Sequence, residues 1–103
     1  MAKHRQTKAT DIKPEVKAKV FARDGGVCII CGSCYGLPNA HYIPRSHGGL
    51  GVEQNIVTLC PTCHYRFDNT TDRSWMKLAI ADYLRSKYEN WHEKDLYYKK
   101  FKF

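Results

Sequence analysis

Ile12, Val16 and Val20 stand four residues apart behind Asp11 and ahead of a glycine pair, with Pro14 near the start. This spacing predicts a short helix capped by Asp11 and ending at Asp24-Gly25-Gly26. The period then disappears. Residues 32–55 are rich in Gly, Pro, Ser and Asn, and residues 39–43 and the β-branched run 56–59 read as two small strands joined by a long loop. From Pro61 the pattern turns helical again and sets His64 and Asp68 one turn apart on one face. A longer helix is predicted to begin at Thr71 or Asp72, with Met76, Ile80, Tyr83, Leu84 and Tyr88 as its apolar stripe. Two short strands among helices make the predicted class α+β.

At 103 residues the chain has room for one domain and one modest core, which excludes a multidomain enzyme. Its 43% hydrophobic and 26% charged residues are a globular balance. No stretch approaches the ~18 apolar residues of a membrane helix, and no apolar segment follows the basic start, so neither membrane insertion nor secretion is expected. A reducing cytoplasm is the expected location, where cysteines serve as metal ligands or catalytic groups before they serve as disulfides.

Charge changes the picture further. Seventeen Lys and Arg against ten Asp and Glu leave a net +7 and a pI near 9.3, the footprint of a protein that meets a polyanion, and DNA is the expected partner. The excess sits at the ends: Lys3, Arg5 and Lys8 face no acid in residues 1–10, and Lys94, Lys99, Lys100 and Lys102 face only Asp95 in residues 94–103. In the last stretch Tyr97, Tyr98, Phe101 and Phe103 alternate with the cations, which suits phosphate contact and base stacking; packing on the domain is the plainer alternative. The expected organisation is a basic arm over 1–10, a central domain over 11–70, and a helix with a basic aromatic tail over 71–103.

Cys28-Ile-Ile-Cys31 and Cys60-Pro-Thr-Cys63 are two C-x2-C pairs, each able to offer two thiolates from one tight turn. Together they complete a tetrahedron for a structural Zn²⁺. Cys31-Gly-Ser-Cys34 overlaps the first pair; Gly32 directly after Cys31 favours Cys28 and Cys31 as ligands and leaves Cys34 a spare thiol. Residues 32–59 exceed the ~15–20 residues usual between paired knuckles, so function is expected in the insertion. Apparent binding energies of about 10–16 kcal/mol for structural zinc exceed what a core of this size supplies, so metal removal is expected to unfold the chain.

The insertion reads His41-Tyr-Ile-Pro-Arg45-Ser-His47-Gly-Gly, then Asn55 before the strand, then Cys63-His64 opening a helix. Over residues 11–70 this order of motifs resembles the HNH endonuclease family, in particular its small zinc-stapled phage and prophage members. The resemblance implies a zinc-bound ββα-metal domain with flanking helices, a single catalytic divalent ion (Mg²⁺, Mn²⁺ or Ni²⁺), and cleavage of phosphodiester bonds in DNA. By position it implies His41 as the general base that activates water, Asn55 as the residue that orients the base-bearing loop, and His64 as a metal ligand. The chemistry agrees, since imidazole titrates near neutral pH and a hard divalent ion neutralises charge on phosphate. A phage-type member would also meet packaging proteins.

One position departs from the family pattern. Many members carry an acid or a second histidine directly before the base, where this chain has Ala40. Asp68 is the expected replacement ligand, with His47 as another candidate; Asp68-Asn69 also reads as a plain helix end. His4 and His92 carry no motif. The resulting expectation is a metal-dependent DNA endonuclease or nickase. The alternative is a non-catalytic zinc module that binds DNA or a partner, and a redox role for Cys31 and Cys34 lacks the surrounding βαβ pattern.

Overall fold

The structure, a computed structural model, describes residues 5–99; His4, Lys3, Lys100, Phe101, Lys102 and Phe103 lie outside the described residues. The arm is helical from Arg5: α1 (Arg5–Thr10) has no apolar stripe for periodicity to detect. Helix α2 (Pro14–Arg23) begins at its proline, and its cap position is Lys13 without a side-chain bond. Asp11 is therefore not the cap that the pattern predicts; its carboxylate accepts from Arg45 at 2.6 Å. Ile12 lies ahead of the helix, and Val20 is the α2 residue that becomes fully buried.

Strands β1 (Leu37–His41) and β2 (Ile56–Leu59) pair antiparallel, Ala40 opposite Val57 and His41 opposite Ile56. The register slips between Leu37 and Ala40, where Pro38 has no N–H to give the ladder. The predicted strand over 39–43 thus sits two residues too late, and Asn55 explains its end. Tyr42 N–H still donates to the Asn55 carbonyl at 2.7 Å, but Ile43 N–H donates instead to Asn55 Oδ1 at 2.8 Å. A side-chain amide replaces the next strand partner, and the chain leaves the sheet.

Helix α3 (Pro61–Asn69) starts on its proline with Cys60 Sγ accepting from Cys63 N–H at 3.4 Å. Helix α4 (Arg73–Lys87) buries Met76, Ile80, Ala81 and Leu84, while Tyr83 and Tyr88 stay half-buried because their hydroxyls serve polar partners. One apolar cluster runs from Cys28 to Leu96 and joins both knuckles, the sheet, α3, α4 and Trp91. The C-terminal run packs on the domain as far as Tyr98: Leu96 is buried, Leu50 N–H donates to Leu96 O at 2.8 Å, and Tyr98 N–H donates to Gly48 O at 2.7 Å. Of the expected DNA-contacting tail, Lys99 alone lies beyond this packed segment among the described residues. Among them too, no helix is long and apolar enough to cross a membrane.

A buried ion pair of sequence neighbours locks helices to sheet. Arg23 donates to both carboxylate oxygens of Asp24, at 2.7 and 3.1 Å, and to the carbonyls of Glu53 and Ile56, at 2.6 and 2.7 Å. Asp24 in turn accepts from Thr58 N–H at 2.8 Å and from the Tyr83 hydroxyl at 2.5 Å, with its side chain fully buried. Burial opposes its charge, but the hydrogen bonds from Arg23, Tyr83 and Thr58 outweigh it and hold the carboxyl below the usual range. A carboxyl lowered in the folded state stabilises fully above its unfolded pKa of about 4, and this contribution is lost as pH falls through the folded value. With zinc bound at neutral pH, we expect Asp24→Asn to cost about 3–5 kcal/mol, because it leaves Arg23 without its charge partner. Asp82→Asn, at the exposed Arg85–Asp82 pair, should leave the urea midpoint within error.

Candidate active site and metal centre

The two knuckles meet. The Sγ atoms of Cys28, Cys31, Cys60 and Cys63 all lie within 4.8 Å of one another, and Cys31 and Cys60 are 3.6 Å apart. Zn–S bonds of about 2.3 Å put the corners of a tetrahedron roughly 3.8 Å apart, so this spacing fits a four-coordinate zinc and is far too long for a disulfide. Gly32 shows why a glycine follows the first pair: its φ is +78°, and its N–H closes the knuckle onto Cys28 O at 2.9 Å. Cys34 lies outside the cluster and is exposed.

The electrostatics of the thiols call for a cation. Burial works against a Cys28 thiolate, yet the backbone N–H groups of Cys31, Cys60 and Ile30 bring it down to about 7. Burial and then the neighbouring thiols of Cys60, Cys31 and Cys28 push Cys63 far above the usual range. Four thiolates at this spacing coexist only around a positive ion.

Beside this centre, His41, His47, His64, Asp68, Arg45 and Arg73 line one cleft of about 480 Å³. Their positions follow from the fold. His41 is the last residue of β1, and strand alternation turns it away from the fully buried Ala40. His64 follows Cys63 directly, so the first turn of α3 carries both a knuckle thiol and a cleft imidazole. His64 Nε2 and Asp68 Oδ2 lie 3.1 Å apart across one helical turn, about the separation of two neighbouring ligands on an octahedral ion with ~2.1 Å bonds. The imidazole–carboxylate donor set fits a first-row divalent metal.

His41 Nε2 lies 2.8 Å from the Thr10 carbonyl. Burial, aided by the charges of Arg45 and His64, pushes its pKa below the usual histidine range against the pull of Thr10 and Asp68. Both effects favour the neutral ring, which keeps one lone pair. Asn55, fully buried, lies beneath the cleft: besides accepting from Ile43 N–H, its Nδ2 donates to Ile43 O at 3.2 Å and to Leu50 O at 2.8 Å. One amide therefore ties both ends of the 43–50 loop. Ala40 belongs to the core cluster, so the missing donor at that position leaves no gap in the cleft wall.

Residues 28–78 match the family model described as HNH endonuclease. Over this stretch the chain belongs to the HNH endonuclease family. Two relatives have related sequences. Anaredoxin of Nostoc sp. strain PCC 7120 is 42% identical over 41 residues, covering 39% of this chain and 54% of that protein. The type IV methyl-directed restriction enzyme EcoKMcrA of Escherichia coli strain K12 is 38% identical over 60 residues, covering 50% of this chain and 22% of the enzyme. The chain thus spans about half the length of one relative and about a fifth of the other.

The HNH match covers every cysteine of the cluster together with His41, Asn55, His64 and Asp68, and it also covers Arg73, which motif reading missed. Arg73 stacks its guanidinium 4.3 Å from the centre of the Phe67 ring and donates to Phe67 O at 3.2 Å and Tyr42 O at 3.4 Å. Among the described residues no carboxylate pairs with it, whereas Arg45 is paired with Asp11. The only sequence signal was an arginine at the start of a helix, which is too common to single out.

We expect elemental analysis to find about one zinc per chain, retained in Cys34→Ser and lost with the fold in Cys63→Ser. Loss of zinc from Cys34→Ser but not from Cys28→Ser would reverse the ligand assignment.

Proposed function

We propose that this HNH domain is a metal-dependent endonuclease that hydrolyses phosphodiester bonds in DNA. The observation that carries the reading is the convergence of His41 with the distant His64–Asp68 pair on one cleft, beside Arg73, which no carboxylate pairs among the described residues. His41, whose burial favours the neutral ring, takes the proton of a water molecule as that water attacks phosphorus. His64 and Asp68 hold the divalent ion, which when bound supplies positive charge to the phosphate and the leaving oxygen. Arg73 retains N–H donors beyond the two that hold it in place and offers them to a phosphate oxygen. Asn55 keeps the base-bearing loop in register through its three hydrogen bonds.

The net charge of +7 favours a nucleic-acid substrate, and the relation to a restriction enzyme supports DNA. A second reading, a non-catalytic zinc module, draws on Ala40: with a methyl group there, this chain offers two cleft donors where the family pattern has a further one.

Supercoiled plasmid with Mg²⁺, Mn²⁺ or Ni²⁺ decides between them. We expect nicking by the native protein and a loss of about 10²–10⁴-fold in His41→Ala with cleft metal binding intact. His64→Ala should lose both cleavage and cleft metal, and Asp68→Ala should need much higher metal concentrations while keeping its zinc. Normal cutting by Asp68→Ala at limiting metal would transfer the ligand role to His47 or water. No cutting with any ion would favour the non-catalytic module.

A further inference from the structure

Residues 5–13 lie outside the stretch that matches the HNH family, yet they dock on its base-bearing loop at three successive positions. Ala9 O accepts from Gly51 N–H at 2.9 Å, Thr10 O accepts from His41 Nε2 at 2.8 Å, and Asp11 Oδ1 accepts from Arg45 at 2.6 Å. Thr10 is 2% exposed, and its hydroxyl donates back to Thr7 O at 3.2 Å, which fixes the turn that aims its carbonyl. The dock is tight: a Cβ on Gly51 would stand 2.0 Å from Asp11 O.

A carbonyl oxygen only accepts, so the nitrogen facing it carries the proton. In a neutral imidazole this leaves Nδ1 as the one nitrogen able to take a proton from water. A histidine without such a partner exchanges between tautomers, and part of its population then presents the wrong nitrogen. Among the described residues the Thr10 carbonyl is the one hydrogen-bond partner of the His41 ring.

We propose that the N-terminal segment is a working part of this active site, with the Thr10 carbonyl as a positioning group that selects the Nε2-protonated tautomer of His41. The inference rests on the reading of His41 as the base. It assigns to the flanking helix α1 a role separate from the charge of the arm.

The test uses the 103-residue, zinc-loaded chain with ¹⁵N-labelled histidine, the His41 signals being identified by their loss in His41→Gln. Two-bond ¹H–¹⁵N spectra near neutral pH should show His41 protonated at Nε2 and bare at Nδ1; an Nδ1-protonated or averaged ring would overturn the proposal. Gly51→Ala pushes the segment off its dock while keeping every charge. It should average the tautomers and lower kcat for plasmid nicking with Mn²⁺ by about tenfold, with KM and zinc content unchanged. A native tautomer and native kcat in this variant would also overturn the proposal. If Gly51→Ala fails to fold with its zinc, Asp11→Ala, which removes the tether to Arg45, should move tautomer and kcat in the same direction by about threefold, and no change would refute the dock. Should the native protein cut no DNA, the nuclease reading falls, while the tautomer measurement still decides the role of Thr10.

Discussion

Four thiolates cannot share a space 4.8 Å across without a cation, and the rest of the molecule is arranged around that constraint. The clamp joins the 28–31 knuckle to the first turn of α3, which otherwise meet through the apolar cluster and one backbone bond, Ile29 N–H to Thr58 O at 3.0 Å. Because His64 is the residue after Cys63, fixing the knuckle also fixes the phase of α3, and the phase of α3 decides that His64 and Asp68 line the cleft. A metal held by the four cysteines would therefore set the geometry of the His64–Asp68 pair, although the two share no ligand.

The opposite wall depends on buried polar groups. A loop of this length between two short strands has many conformations, and its entropy has to be overcome at a few points. Asn55 does so with one side chain that bonds backbone at both ends of the loop, and the Arg23–Asp24 pair does the same for the approach to β2 through Glu53, Ile56 and Thr58. Apolar packing alone would tolerate a slipped register here. These directed bonds allow one, and that register places His41 across from α3.

Much of this was legible along the chain. The knuckle pairs, the two helices after Pro61 and the second strand follow from spacing and β-branching, since each signal is local. The His41, Asn55 and His64 positions could be read because the family order names them, and Asp68 because an i,i+4 step on a helix is a geometric certainty once the helix is. What escaped was of another kind. The end of β1 depends on a side chain fourteen residues further on, the capping role expected of Asp11 was lost to Arg45, and Arg73 gains its place from Phe67 and Tyr42. These are tertiary contacts between residues whose local sequence is unremarkable, and no periodicity encodes them. Helix α1 was missed for a related reason: polar all round, it is held by what it docks on.

The flanks outside the matched family stretch follow the same logic. The loop that follows His41 is gripped by residues 9–11 and by the C-terminal segment, where Leu96, Tyr97 and Tyr98 bond Leu50, Gly49 and Gly48. Trp91 adds a bond to Gln54 O at 2.8 Å and sets its ring against Tyr42 at 5.5 Å, next in sequence to His41. Small domains bury a small share of their surface, so bonds from outside the matched stretch matter more to such a loop. Here residues 9–11 and 96–98, which flank that stretch on either side, bond the loop and complete its hold.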